Sequence, residues 1–546
     1  MVNKNNSPAS DNKDTILIVA TILFMAIYLA TNMTFDLMGR YWGFMETVKV
    51  FLFFIVWQII GLRIFLFFKN DRVRAALIIV LLSFLLFQYV PFVTPHLSKA
   101  VLLLYLAGTF ALTFVLCIRQ QAARTALSVL FVTSLLFSSY NLGIIFYMQL
   151  KRSYDLSQIP AKADLLKDAH VPNLAQAPDI FVIYQDSMSD FSTIHRIFGY
   201  DSADYKRFLE DSGFYIASVA RSYYTQTLLS ISSTLNMNYL QDDIRLPHTR
   251  FFDNKPAIDY YLHPRLFEFL MKNGYDVHMA TSAYNVDSTK DQSINDIRAP
   301  DFIIGGMTNV LGDSIFYPLL NLFFGGQREF LNPYYKMYNT VKEHYDFLRE
   351  HAGKEEDRPR LVYFHAMTPH PPFIFAANGD LADYPFDDVF SYKDGVYHPR
   401  SELYEGGWND FYKRAYAEQV AYSQKEIISV VESFKKREGK RPYVIVIQGD
   451  HGSRAHRNFK SLERTDKTEL FGITNLIYFS DGDYSSLQSD ISPINTMRVI
   501  MNKYFDAKLS MLKNQNWYST WDRPYEFLPV SDAEQRAYDL YSDTGN

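Results

Sequence analysis

The sequence predicts two unlike parts: an N-terminal transmembrane bundle of five helices over residues 1–150, and an external α/β domain over residues 178–546. The α/β domain is expected to hold a mostly parallel sheet with helices on both faces. Three observations carry this expectation. A chain of 546 residues is too long for one ordinary domain. Apolar runs dominate its first part, whereas the remainder reads like a soluble protein. From Pro178 onward, continuous apolar strand-like runs alternate with helical patterns, the signature of strands covered on both faces.

Crossing a hydrocarbon core takes roughly 20 apolar residues. Runs of that order lie at Thr15–Asn32, Val48–Phe68, Ala75–Val93, Ala100–Ile118 and Ala126–Met148. The first lacks a small-residue cleavage site and further spans follow at once, so it is not a cleavable signal peptide. Lys4 and Lys13 precede span one, Lys69, Arg72 and Arg74 follow span two, and Arg119 and Arg124 follow span four. The opposite loops carry only Arg40 and Lys99. Positive residues stay inside, so the N-terminus is expected in the cytoplasm and everything after Met148 outside, in the periplasm or extracellular space. The only cysteine, Cys117, falls in span four, so the external domain must hold together without disulfides. Residues 151–177, with Pro160 and Pro172, read as a juxtamembrane linker in which Ala161–Ala169 suits a short helix. A formal net charge of -5 offers no pointer to a nucleic-acid partner.

The external domain opens with the strand "DIFVIYQ" and the helix "SADYKRFLEDSG", stopped by Gly213. Next come the strand "FYIASVA", the helical run "TLLSISSTLNMNYL", the helix "RLFEFLMKNGY" and then "DVHMATS". The strand "RLVYFHAM", a long helix from Trp408 to Gly439, and the strands "YVIVIQG" and "ITNLIYFS" follow. In such sheets function gathers outside the carboxyl ends of strands. Asp186 leaves the first strand, Thr227 stands at a helix start, and Asp450 and His451 leave "YVIVIQG". His365 lies inside "RLVYFHAM", with His370 just beyond in "TPHPPF".

Oxygen ligands with one histidine suit a divalent cation such as Mn²⁺, Mg²⁺ or Zn²⁺. A hydroxyl on such an ion becomes a usable nucleophile, and a helix N-terminus beneath it adds donors for an anion. Taken singly, each residue has a plainer role: "DHG" as a turn, Asp186 and Thr227 as helix caps, His370 as a loop residue. Thr225 competes with Thr227 as the nucleophile. Tyr223, Tyr224, Tyr334, Tyr335 and Trp408 are candidates for an acceptor groove or for core.

The strand ending in Asp186, "FGYD" at 198–201, "GFY" at 213–215, "TLLSISSTLNMNYL", "HAMTPHPPF", "QGDHGSR" and "DISPINTMRVIMNKYF" together form a known pattern. Over roughly residues 178–510 the chain resembles the membrane-bound sulfatase-like branch of the alkaline phosphatase superfamily. Lipoteichoic acid synthases, other phosphoglycerol transferases and phosphoethanolamine transferases are its relatives. The resemblance implies a metal held by Asp186, Thr227, Asp450 and His451. It sets "TLLS" in the register of a nucleophile followed by Ser230, favouring Thr227 over Thr225, and it makes His370 the substrate-side acid or base. His365, Ser230, Arg454 and His456 are the expected substrate contacts, the last two without a clear family equivalent. Asp186 departs from the glutamate of many transferases, and second-metal histidines are unmatched, so one divalent metal ion is expected. The function implied is transfer of a phospho-head-group, of phosphoglycerol or phosphoethanolamine type, through a phospho-threonine. The donor is a phospholipid and the acceptor an envelope polysaccharide or lipid. A membrane-anchored phosphatase, phosphodiesterase or sulfatase-like hydrolase is the alternative, and an inactive scaffold or sensor a lesser one.

Overall fold

The structure is a computed structural model that describes residues 162–244, 255–281, 333–382, 407–439, 441–457, 462–520 and 523–531, the strands at 294–298, 392–393 and 396–397, and a few helical positions between 140 and 157. The chain divides into two compact units: Met1–Ser157 with Asp253–Lys255 and Ile303–Gln327, and Gln158–Phe252 with Pro256–Phe302 and Arg328–Asn546. Among the described residues no helix is long and apolar enough to cross a membrane. The first four expected spans, and all of the fifth except helical Tyr140, Gly143 and Tyr147, lie outside the described residues.

The second unit is built on a seven-stranded sheet of order β2-β9-β8-β1-β5-β3-β4. Its strands are β1 (Asp179–Gln185), β2 (Tyr215–Ile216), β3 (Asp276–Thr281), β4 (Ile294–Arg298), β5 (Arg360–Ala366), β8 (Tyr443–Gly449) and β9 (Asn475–Phe479). Two small hairpins stand apart, β6 (Tyr392–Lys393) with β7 (Val396–Tyr397), and β10 (Asn516–Thr520) with β11 (Arg523–Val530). All seven residues of β1 and of β5 are buried, which is why both read as unbroken apolar runs. Alternate residues of β1 serve opposite faces. Ile180, Val182 and Tyr184 pack into one core with the helices α3 (Thr227–Asn236), α5 (Lys255–Leu262), α6 (Arg265–Lys272) and α10 (Pro493–Phe505). Phe181 and Ile183 pack into the other with α2 (Ala203–Asp211), α7 (Pro333–Ala352) and α8 (Gly407–Phe434). Among the described residues this unit also holds α1 (Phe191–Phe198), α4 (Leu240–Asp243) and α9 (Lys467–Phe471).

The expected parallel order holds for five of the seven strands. β8, β1, β5, β3 and β4 are mutually parallel, whereas β9 runs antiparallel to β8 and β2 antiparallel to β9, so the sheet is mixed at that edge. "FYIASVA" yields only a two-residue strand. Beyond it the chain follows the sheet edge by single bonds, Ala217 N–H to Asn475 O and Ser222 N–H to Phe471 O, rather than as a ladder. "TLLSISSTLNMNYL" also breaks, because Met237 turns left-handed (φ 56°) and caps α3.

At the amino ends of β1 and β5, Asp179 is fully buried beneath three arginines. Arg437 Nη2 lies 2.5 Å from its carboxylate, Arg360 Nε 3.4 Å and Arg441 Nε 3.8 Å. The opposite, carboxyl end of the sheet is where the candidate site forms.

Candidate functional site

The parallel register sets the site. Gln185 pairs with both Gly449 and Ala366, so β1, β8 and β5 end level. The residues that leave β1 and β8 there are Asp186 and Asp450, side by side. Two glycines allow the turn that follows. A Cβ on Gly449 would stand 2.1 Å from the carbonyl oxygen of Met188, and one on Gly452 only 1.8 Å from that of Glu469. Backbone packed that closely tolerates no side chain.

Around this turn the predicted ligands converge. Asp186, Asp450 and His451 each offer one ligand atom, all within 4.8 Å of one another, and all three residues are buried. His451 Nε2 lies 3.6 Å from Asp186 Oδ1, 3.5 Å from Asp450 Oδ2 and 3.3 Å from Thr227 Oγ1. Thr227 is the first residue of α3, preceded by Gln226 in extended conformation. The buried Thr225 hydroxyl makes no hydrogen bond to any of these residues.

This donor set fits a divalent cation. His451 Nδ1 lies 2.8 Å from Gly452 O, which assigns the ring proton to Nδ1 and turns the Nε2 lone pair toward the cluster. Asp450 Oδ1 accepts the N–H groups of Ser187 and His451, each at 2.9 Å. Its other oxygen, Oδ2, is buried and accepts no well-formed hydrogen bond, with His451 Nε2 at 3.5 Å and the Thr227 hydroxyl beside the carboxylate. A buried carboxylate oxygen so weakly satisfied is costly unless a cation completes it.

The electrostatics agree. Burial first, and then the neighbouring charge of Asp186, push Asp450 up to about 7. Burial would raise Asp186 as well, but the facing His370, His365 and His451 outweigh it and hold its carboxyl below the usual range. Burial and the Arg454 guanidinium lower His451, which keeps its imidazole neutral. Two buried carboxylates this close cannot both ionise without cost, so their pKa values move apart.

The expected substrate-side residues divide. His365, buried in β5, places Nε2 3.6 Å from Asp186 Oδ2. His370 donates its backbone N–H to Asp186 O at 3.0 Å, and its ring sits 6.3 Å from that of His451. Burial lowers its pKa, partly offset by Asp186. Arg454 Nη2 lies 2.9 Å from His451 Nε2, and its Nη1 3.5 Å from His370 Nε2. These three therefore join the cluster. Ser230 lies one turn into α3, with its N–H on Gln226 O and its carbonyl accepting from Ser233 and Thr234. His456 is turned to Glu469, with Nδ1 3.1 Å from Oε2. Tyr223 and Tyr224 are buried in the core, and Tyr223 also lines a cavity with Arg221, Asp490 and Asn514.

Other residues that sequence reasoning did not single out hold the cluster in place. Tyr416 donates its hydroxyl to Ser187 O at 2.7 Å and accepts the Ser189 N–H at 3.2 Å. Gln419 donates to the carbonyls of Pro369 and His370, and accepts from Ile374 and Phe375. Both sit on α8, among aromatics recurring at helical spacing. A glutamine within that apolar pattern was the available signal.

Comparison with known proteins adds to this geometry. The Sulfatase family model matches residues 178–502. No curated protein gives a match. Among solved structures, the chain is similar to the periplasmic domain of phosphoethanolamine transferase EptC from Campylobacter jejuni, at 9% identity over 62% of this chain and 91% of that one, with a TM-score of 0.37. It is likewise similar to the zinc complex of the Escherichia coli EptC periplasmic domain, at 13% identity, 66% and 96% coverage and a TM-score of 0.38. The integral membrane lipooligosaccharide phosphoethanolamine transferase A of Neisseria meningitidis is similar at 11% identity over 89% and 95% of the two chains, with a TM-score of 0.38. The family match spans more than half of the chain, from β1 into α10, and takes in every residue of the cluster; the protein belongs to the sulfatase family.

Proposed function

We propose that the protein is a membrane-tethered, metal-dependent transferase that moves a phospho-head-group, of phosphoglycerol or phosphoethanolamine type, from a phospholipid to a hydroxyl of the cell envelope. The observation that carries this reading is the Thr227 hydroxyl at a helix start, 3.3 Å from His451 Nε2 and beside two buried carboxylates. Sulfate-ester hydrolysis in this family uses an aldehyde made from cysteine or serine. Threonine cannot form it, and Cys117 is the only cysteine, far from the cluster in sequence.

Asp186, Thr227, Asp450 and His451 would hold one divalent ion. When bound, such an ion acidifies a hydroxyl and neutralises phosphate charge. Thr227 Oγ1 forms a bond to phosphorus while the bond from phosphorus to the diacylglycerol oxygen breaks. The proton lost by Thr227 is the one gained by the departing diacylglycerol, and His370 Nε2 relays it. In the second half-reaction the acceptor hydroxyl attacks phosphorus, its proton returns through His370, and Thr227 leaves. Arg454 holds the phosphoryl oxygens in both steps. The apolar runs of residues 1–150 would keep the site beside its lipid donor at high effective concentration, with the catalytic domain outside the cytoplasm.

The test is lipid analysis after incubation of the full chain, in micelles with Mn²⁺, with fluorescent phosphatidylethanolamine and phosphatidylglycerol. The reading expects release of diacylglycerol coupled to labelling of an added envelope acceptor. Diacylglycerol release with free phospho-head-group alone would make the protein a hydrolase. Release of neither would refute the phosphoryl reading.

A further inference from the structure

A second group of ligand-type side chains, His456, Asp466 and Glu469, lies just behind the cluster. Its contacts are those of a clamp rather than of a cation site. Glu469 is almost wholly buried, and its Oε1 accepts from Ser453 Oγ at 2.6 Å and from the Ala455 N–H at 2.5 Å. Its Oε2 accepts from the His456 N–H at 2.9 Å and faces His456 Nδ1 at 3.1 Å. Asp466 is taken too, by the Glu469 N–H at 3.0 Å and by Arg196 Nη1 at 3.0 Å. Both carboxylate oxygens of Glu469 are thus spent on one short loop, residues 453–456.

That loop carries Arg454. The residues before and after it are tied to the same oxygen of Glu469, so the backbone of Arg454 is pinned from both sides. The pin is itself anchored. Glu469 lies in α9, capped by the Asp466 side chain, and the same helix accepts the Gly452 N–H at Leu470 O, 3.0 Å away. Ser189 and Tyr412 hold the loop from the opposite side, through Ser453 N–H at 2.9 Å and Arg454 N–H at 3.3 Å. An arginine on an untethered loop loses much side-chain and backbone freedom when it grips an anion. Here that ordering is done in advance.

We infer that Glu469 is a positioning residue: it fixes the 453–456 loop so that Arg454 reaches His370 and His451 and presents a preorganised guanidinium to a phosphoryl anion. The inference rests on the phosphoryl-transfer reading above for the identity of that anion. Glu469 touches no reacting atom. It acts on anion binding through Arg454.

The experiment measures binding of inorganic phosphate to the full chain by calorimetry in Mn²⁺ buffer, for the parent, Arg454→Ala, Glu469→Gln and the double variant. The dissociation constant is independent of the folded fraction, which the stoichiometry reports separately, so a merely structural defect leaves the constant unmoved. Each single variant is expected to weaken phosphate about tenfold or more, as loss of a charge-assisted contact does. The double variant is expected to bind no more weakly than Arg454→Ala alone. Should Glu469→Gln fail to fold, Ser453→Ala removes one tether and carries the same non-additivity. The inference is overturned if Glu469→Gln or Arg454→Ala leaves the constant unchanged, if the two effects multiply, or if the parent binds no phosphate. Phosphate that binds as expected while lipid turnover is absent would instead leave the clamp standing and bring down the transferase reading.

Discussion

Replacing Asp450 by asparagine is expected to strengthen the metal-free fold while abolishing function. The carboxylate is fully buried, and its folded-state pKa is raised from 3.8 to about 7, by burial first and by Asp186 second. At ~1.4 kcal/mol per unit this corresponds to about 4 kcal/mol of disfavoured ionisation. Because the folded value lies above the unfolded one, the contribution of Asp450 itself to stability is fully present at low pH. That increment is lost as pH rises from about 4 through about 7. Asparagine keeps an acceptor for the Ser187 and His451 N–H groups but carries no charge. In chelator, urea unfolding followed by tryptophan fluorescence is therefore expected to show Asp450→Asn more stable by about 2–4 kcal/mol at pH 8, and nearly equal to the parent at pH 4. With Mn²⁺ the order reverses, since only the parent gains binding energy. A variant no more stable than the parent at pH 8 in chelator would refute the view of Asp450 as a strained, cation-awaiting carboxylate.

Three further outcomes follow from single positions. Thr227→Ala is expected to abolish diacylglycerol release without shifting the unfolding midpoint, whereas Thr225→Ala, whose hydroxyl makes no bond to the cluster, keeps most activity; the reverse pattern would move the nucleophile. Gly452→Ala is expected to cost about 3 kcal/mol, read in the same urea titration, because its Cβ would meet the Glu469 carbonyl at 1.8 Å. Asp179→Asn, far from the site at the other end of the sheet, leaves Arg360, Arg437 and Arg441 short of a buried partner. It is expected to cost about 3 kcal/mol or more with turnover per folded molecule unchanged.

The sheet's central strands were readable because burial on both faces leaves a direct mark, an unbroken apolar run, in β1, β5 and β8. The edge was less so. β2 is two residues long because "FYIASVA" lies where single bonds replace a ladder, and nothing in its composition announces that. The β10–β11 hairpin likewise gave no expectation. At the site, Asp186, Thr227, Asp450 and His451 could be picked out because each sits at a strand exit or a helix start, positions that a chain alone can reveal. Glu469, Tyr416 and Gln419 could not. A polar residue inside a helical pattern does not say which distant loop it will hold, and their partners lie between 13 and 229 residues away in the chain. Ser187, whose left-handed backbone (φ 63°) aims its N–H at Asp450, is hidden for the same reason.

The most direct measurement is the mass of the peptide containing Thr227, taken after brief exposure of the full chain to phospholipid with Mn²⁺ and quenching in acid. Covalent capture at this one hydroxyl predicts an added phospho-head-group on Thr227, lost again once acceptor is supplied. A protein that turns lipid over while that peptide stays unmodified, or carries the group on another residue, would contradict the account at its root.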